Sequence, residues 1–245
     1  MHSASPGSPG SPASLTFHVP PRAVRWRWWL LSLMLVGLAI GYWVAARLPA
    51  SAGWENGWLE NLQVVVLLGG AAMAVAVARQ GTASGDWGRA ALKGLAVAVV
   101  PLWCLMAARE LSWGAAFLPP MGFGEDGPTY SSSTLWYKPA VAPLALAVLA
   151  WCGWMAARSG ALRVVLRLLR SPRFVWAELA VMVLAGVLST YAEGHLGFPA
   201  PQSLGHHAVV MEEWSEMFAY VALVMAQWQI FVLLRNARRS SQTPR

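Results

Sequence analysis

Six apolar runs of about 20 residues dominate the chain and predict its architecture. Each run is long enough to cross the roughly 30 Å hydrocarbon core of a bilayer as an α-helix. The predicted spans are residues 28–47, 58–78, 90–108, 139–157, 174–192 and 208–234. The pattern therefore predicts an all-α polytopic membrane helix bundle of about six transmembrane helices.

Composition excludes a soluble domain as the main part of the chain. The 245 residues are 57% hydrophobic and 12% charged, whereas soluble domains carry roughly 25% charged residues. Residues 1–21 are rich in Ser, Pro and Gly and show no hydrophobic periodicity, which predicts a disordered cytoplasmic tail. Residues 22–235 form the predicted six-span domain, and residues 236–245 form a basic cytoplasmic tail.

Cationic residues predict the orientation of the bundle. With the N-terminus in the cytoplasm, 15 of the 18 Lys and Arg residues lie on the cytoplasmic side, and only Arg47, Arg109 and Lys138 lie on the other. Short loops rich in Lys and Arg stay on the cytoplasmic side. We therefore expect an N-in/C-in multi-pass protein of a bacterial inner membrane. Because the arginines sit on span ends and inner loops, the bilayer is the expected partner and nucleic acid is not.

The loop ALRVVLRLLRSPR, residues 161–173, spaces three arginines at helical intervals among Leu and Val. This pattern is typical of an amphipathic helix lying on anionic lipids of the inner leaflet. A plain cationic anchor for the neighbouring spans fits the same residues. No protein partner is indicated.

Nine of the 11 acidic residues and three of the five histidines lie at the opposite, outer side of the predicted membrane. Along span six and just before it, His206, Glu213, Tyr220 and Gln227 recur every seven residues, and Glu216 lies on the same side of the helix. A carboxylate near the bilayer centre costs roughly 2.5–3.5 kcal/mol on insertion scales. Such a polar stripe is expected to face the bundle interior.

Other spans bring matching groups to the same level. Span two starts with Asn56, Glu60 and Gln63 on one face, span three ends in Arg109-Glu110, and Glu193 and His195 follow span five. Six residues are predicted to share one pocket, in which crowded like charges are protonated or neutralised by Arg109 or a cation: Glu60, Arg109, Glu110, Glu193, Glu213 and Glu216. Arg109 is expected to form directed, bidentate hydrogen bonds with carboxylates as one member of a buried pair. The candidate acid–base residues are Arg109, Glu110, Glu213 and Glu216, and the candidate ligands of a divalent metal are Glu60, Glu193, His195 and His206.

The same residues also have structural interpretations. Arg109 and Glu110 suit an interfacial ion pair, the histidines suit ordinary loop positions, and Glu178 suits a pair with a cytoplasmic arginine. Residues 122–134 are expected to form a solvated turn. Three classes of function remain open: an enzyme with an acid–base or metal site, an ion or proton transporter, and a membrane assembly or scaffold component.

The segment RELSWG, residues 109–114, carries a resemblance. Together with the later Glu212, Glu213 and Glu216, it resembles a group of uncharacterised bacterial multi-pass membrane proteins with an Arg-Glu-Ile-Ser-Trp-Gly-Gln motif. This chain has Ala115 in place of the final Gln. The resemblance implies the same architecture and candidate site, and it implies no particular reaction.

Overall fold

A computed structural model of the protein describes residues 15–17, 21–80, 87–124, 127–196 and 205–239. The helices in this part of the chain are α1 (Pro21–Ala39), α2 (Gly41–Ala45), α3 (Trp58–Arg79), α4 (Trp87–Glu110), α5 (Lys138–Arg158), α6 (Ala161–Leu169), α7 (Trp176–Ala192) and α8 (Ala208–Arg235). The short strands are β1 (Leu15–Phe17), β2 (Gly122–Gly124), β3 (Gly127–Thr129) and β4 (Ala237–Arg239). The predicted helical bundle is confirmed.

Four helices in the described ranges are long and apolar enough to cross a membrane: α3, α4 from Ala90, α5 and α8. The protein is therefore a multi-pass α-helical membrane protein. Two further predicted spans are also helical but differ from these four. Helix α7 is apolar and has only 17 residues, and the first seven residues of α1 include Arg22, Arg25 and Arg27.

Helix α8 lies at the centre of the bundle, where it contacts α1, α2, α3, α4 and α7. In the apolar 18-residue stretch of α8 56% of the residues are buried, whereas only 6% are buried in the corresponding stretch of α5. The α5 surface therefore faces the surroundings of the bundle, whereas α8 supplies its core.

The predicted first span is divided at Ile40 into α1 and α2. Nearby, the Trp214 indole of α8 donates a hydrogen bond of 3.0 Å to the Gly37 carbonyl. A Cβ atom on Gly37 would lie 2.3 Å from the Phe218 ring, so this close approach requires glycine. Contacts with α8 thus hold the segment around the break.

The end of the bundle that carries β1 and β4, here the proximal end, contains the predicted partner of Glu178. Arg27 donates to both carboxylate oxygens of the fully buried Glu178, with Nε–Oε1 at 2.6 Å and Nη2–Oε2 at 2.7 Å. This bidentate pair joins α1 to α7, as such geometry allows for arginine.

Strands β1 and β4 pair antiparallel, with Leu15 opposite Arg239 and Phe17 opposite Ala237. Both strands lie in segments that the sequence assigned to the terminal tails. The predicted tail residues 1–14, 18–20 and 240–245 lie outside the described part of the chain. The pairing places the start of α1 and the end of α8 at the same end of the bundle.

Helix α6 occupies the loop for which an amphipathic helix was expected. Val164 and Leu168 are buried in a core cluster shared with α4 and α8, while Arg163 and Arg167 are exposed. The apolar face of α6 is therefore covered largely by the bundle itself. Leu162 and Leu166, beside the arginines, remain exposed.

Candidate functional site

An open cavity of about 440 Å³ lies at the distal end of the bundle, where α3 and α8 begin and α4 and α7 end. Seven glutamates and one arginine line it: Glu55, Glu60, Glu110, Glu193, Glu212, Glu213, Glu216 and Arg109. The six residues expected from the sequence to share a pocket are all in this lining. The cavity therefore collects the carboxylates of α3, α4, α8 and the end of α7.

Glu110 is the last residue of α4, and its side chain is only 7% exposed. The Tyr220 hydroxyl of α8 donates a hydrogen bond of 2.8 Å to Glu110 Oε1. Tyr220 is itself buried, with its ring in an apolar cluster between α3, α4 and α8. The packed ring fixes its hydroxyl, which in turn holds the Glu110 carboxylate at the cavity wall.

Glu213 is held by a side chain from α3. The fully buried Gln63 donates from Nε2 to Glu213 Oε2 at 2.7 Å and to the Glu213 carbonyl at 2.8 Å. The other end of the same amide, Gln63 Oε1, is buried with no hydrogen-bond partner among the described residues. Gln63 thus orients one cavity carboxylate and carries a buried acceptor beside it.

Glu216 lies between α7 and Arg109. Its Oε1 accepts a hydrogen bond of 3.4 Å from Ser189 of α7 and lies 4.0 Å from Arg109 Nη2. Arg109 Nε lies 3.7 Å from Glu110 Oε1, so one guanidinium is within ion-pair distance of both carboxylates. The directed hydrogen bonds expected of Arg109 are not formed with either, and the Arg109 side chain is 65% exposed.

The predicted metal ligands are only partly brought together. Glu60 accepts a hydrogen bond from the Asn56 amide, and Glu193 Oε2 lies 2.9 Å from His195 Nδ1 at the exposed rim. The His206 backbone lies in a short 3-10 helix before α8, and its side chain is outside the described atoms. No group of three or more His, Cys, Asp or Glu residues in the described ranges could hold a metal ion. The metal site stays a prediction.

Backbone in the left-handed region shapes two loops beside the cavity. Asn56 before α3 has φ 59°, and Ser112, Trp113 and Gly114 after α4 have φ 45°, 59° and 101°. Residues other than glycine seldom adopt these values, so the surrounding contacts must hold them. Asn56 Nδ2 donates to the Ala116 carbonyl at 3.2 Å and thereby ties the loops together. The RELSWG segment thus forms a strained turn at the end of α4.

The segment expected to be a solvated turn contains a hairpin that forms one wall of the cavity. Strands β2 and β3 pair antiparallel, and Gly124, Gly127 and Thr129 line the cavity. A Cβ atom on Gly127 would lie 2.4 Å from the Trp54 ring, so the hairpin can approach this loop only with glycine there. The Tyr130 amide donates to Glu55 at 2.5 Å.

Beneath the carboxylates the bundle is apolar and then polar again. The Tyr220 ring packs with Val64, Leu67 and other buried apolar residues. Seven residues further along α8, Gln227 accepts a hydrogen bond from Trp103 Nε1 at 2.5 Å and donates one to the Gly70 carbonyl at 2.9 Å. The predicted stripe of Glu213, Tyr220 and Gln227 therefore faces α3 and α4 inside the bundle.

No protein family matches this chain, and no curated protein or solved structure matches it either. The resemblance carried by RELSWG therefore remains an expectation.

Proposed function

We propose that the chain is a six-span protein of a bacterial inner membrane, with both termini in the cytoplasm and the acidic cavity at the periplasmic side. Helix α1 with α2, and helix α7, would be the two spans beyond the four long helices. The 17 residues of α7 rise about 25 Å, close to the shortest spans that cross a bilayer. The pairing of β1 with β4 supports an even number of spans, and the bias of 15 cations to three supports this orientation.

Reporter fusions test this topology. Fusions after Arg79, after Arg170 and at Arg245 are expected to read cytoplasmic, and fusions near Asp126 and Ser203 periplasmic. The cationic loops are the physical reason. A periplasmic reading at Arg245 would contradict the six-span count.

Within this topology, the cavity is an acid–base site for a positively charged substrate. The observation that carries this proposal is that Glu110, Glu213 and Glu216 line one open cavity, each held by a polar side chain of another helix. Preorganised neighbouring carboxyl groups can divide the roles of proton acceptor and proton donor. A polar layer that served only to hold helices together has no need of an open cavity.

The charge of the lining indicates the kind of substrate. Seven glutamates face a single arginine, and that arginine is largely exposed. A cationic group entering the cavity would gain favourable electrostatic interactions with several carboxylates, whereas an anion would meet repulsion. The substrate is therefore expected to present positive charge.

The layer below the cavity favours an enzyme over a transporter. Between the Glu110–Tyr220 pair and the Trp103–Gln227 pair, the facing helices carry a buried apolar cluster that includes Leu67. An ion or proton pathway requires polar groups or water at this depth. The apolar layer supports a site that is open at one side only.

Cation binding by the purified protein tests the charge argument. In detergent, primary amines are expected to raise the thermal unfolding midpoint (Tm) of the wild type because bound ligand stabilises the folded state. Glu216→Gln should weaken this effect, and Arg109→Gln, which removes the opposing charge, should strengthen it. Equal responses of both variants and the wild type would contradict binding in the cavity.

Activity is tested in proteoliposomes supplied with a bacterial lipid extract and amine-containing metabolites. Mass spectrometry should detect a product that forms with the wild type and not with Glu216→Gln. A stoichiometric transition metal lost in Glu216→Gln would instead indicate metal chemistry. Proton-coupled uptake without a product would indicate a transporter.

A further inference from the structure

We propose that the substrate of the cavity is a membrane amphiphile with a primary-amine headgroup, which enters from the outer leaflet across the connection between α4 and α5. This inference rests on the acid–base site proposed above and names its substrate class. It is carried by an exposed apolar lip, by the hydrogen bond that joins the neighbouring turn to α5, and by the carboxylate acceptors that line the cavity.

The lip consists of Phe117, Leu118, Met121 and Phe123, which lie between the RELSWG turn and Gly124, the last residue of strand β2. Phe117 is 75% exposed and Phe123 is 78% exposed. No Asp, Glu, Lys or Arg occurs in residues 111–124. Exposed aromatic and apolar side chains of this density at the end of a membrane bundle are typical of the headgroup region of a bilayer.

The turn before the lip is joined to the start of α5, because the Tyr137 hydroxyl donates a hydrogen bond of 2.7 Å to the Trp113 carbonyl. Trp136, two residues before α5 begins, is 90% exposed, and Leu144 and Leu146 on α5 are also exposed. Helix α5 is a candidate membrane span with an almost entirely uncovered surface. The occupant that fits both exposed apolar surfaces is the outer leaflet, whose headgroup region accommodates aromatic side chains at the end of a span.

The same connection forms a wall of the acidic cavity. Gly124 and Thr129 of the hairpin line the cavity, while Phe123 next to Gly124 is exposed on the lip. An amphiphile lying with its chains at the lip would therefore have its headgroup beside the carboxylates. A water-soluble substrate makes no use of the lip.

The acceptors inside the cavity favour an ammonium group with N–H donors. Carboxylates accept hydrogen bonds, and a primary ammonium group offers three donors whereas a trimethylammonium group offers none. Glu110, Glu213 and Glu216 line the cavity and supply such acceptors.

Native mass spectrometry of the detergent-purified full chain tests the proposal. The probes are phosphatidylethanolamine and phosphatidylcholine with identical acyl chains, supplied together. The wild type is expected to retain the ethanolamine lipid at least about tenfold more than the choline lipid, as a single charge-assisted hydrogen bond predicts. Glu213→Gln and Glu216→Gln should each remove most of this preference.

Two further measurements separate entry of the lipid across the lip from recognition of its headgroup in the cavity. Phe117→Ser combined with Phe123→Ser should lower retention of the ethanolamine lipid, while Leu144→Ser combined with Leu146→Ser on α5 serves as the matched control. Thermal-shift binding of ethanolamine, a cation without acyl chains or phosphate, should be unaffected by either pair. Retention unchanged in the lip variant would overturn entry across the lip.

The outcomes distinguish this inference from the function on which it rests. If ethanolamine binds in a Glu216-dependent way but the ethanolamine lipid is not preferred, the acid–base site is supported and the amphiphile proposal is wrong. If neither probe binds, both proposals fail. Preference for phosphatidylcholine would overturn the role assigned to the N–H donors.

Discussion

Replacing Tyr220 by phenylalanine removes one hydrogen bond of the candidate site and little else. The hydroxyl donates to Glu110 Oε1 at 2.8 Å, and the ring is packed among apolar residues that phenylalanine also fits. Glu110 is 7% exposed, so water cannot readily replace the lost donor. A hydrogen bond to a charged group contributes about 1.5–3 kcal/mol to stability. For a chain of this size, that corresponds to a Tm lower by about 3–12 °C.

The assay is thermal unfolding in detergent across a double-mutant cycle. Tyr220→Phe, Glu110→Leu and the double variant are compared with the wild type, and the coupling energy between the two positions is expected to reach at least about 1 kcal/mol. Tyr137→Phe is the matched control, because its hydroxyl donates at 2.7 Å to a neutral acceptor, the Trp113 carbonyl. The control should cost about 1 kcal/mol. Additive losses in the cycle, within about 0.5 kcal/mol, would refute the hydrogen bond.

Three further predictions use the same unfolding assay. Arg27→Ala should lower stability by about 3–5 kcal/mol because it leaves buried Glu178 uncompensated, and adding Glu178→Leu should recover most of this loss; no recovery would contradict the pair. Gly53→Ala should cost about 1–3 kcal/mol, since its Cβ would lie 2.7 Å from the α8 backbone, whereas Gly69→Ala, with open space around it, should not destabilise. Arg109→Ala should change stability by less than about 1 kcal/mol, because this arginine is 65% exposed and makes no hydrogen bond to its carboxylates; a loss above about 3 kcal/mol would show a buried pair.

The last of these predictions corrects what the sequence alone suggested. An arginine beside so many carboxylates was expected to bridge them by hydrogen bonds. Replacing it was therefore expected to lower stability by as much as breaking a buried ion pair, about 3–5 kcal/mol. The structure places Arg109 at 3.7 and 4.0 Å from its two partners and leaves it largely exposed. Sequence spacing can bring charges to one level of a bundle, but it cannot determine how deeply a long side chain is buried.

Hydrophobic runs predicted the helices well because span length and apolar content follow directly from the thickness of a bilayer. The heptad spacing of Glu213, Tyr220 and Gln227 predicted correctly that these side chains share an inward face. It could not predict that Tyr220 pairs with Glu110 or that Gln63 pairs with Glu213, since these partners depend on how neighbouring helices are rotated and shifted.

Irregular features were missed for a related reason. The break at Ile40 lies where Trp214 of a distant helix bonds to Gly37, and no local pattern announces that contact. The left-handed turn at Ser112 and Trp113 contradicts the ordinary preferences of both residues, so it is maintained by tertiary contacts. Ser189, which donates to Glu216, carried no signal in the sequence beyond its polarity.

The carboxylates are proposed to line a cavity that opens at the periplasmic side and is closed toward the cytoplasm. The most direct test of this proposal is labelling of single cysteines by a membrane-impermeant thiol reagent, in a chain whose Cys104 and Cys152 have been replaced. Glu216→Cys should be labelled when the reagent is added outside intact cells. It should not be labelled when the reagent is added outside sealed inverted membrane vesicles, where it reaches only the cytoplasmic face. Gln227→Cys, beneath the apolar layer, should react from neither side. Labelling of Glu216→Cys from the cytoplasmic side alone, or of Gln227→Cys from either side, would contradict the account.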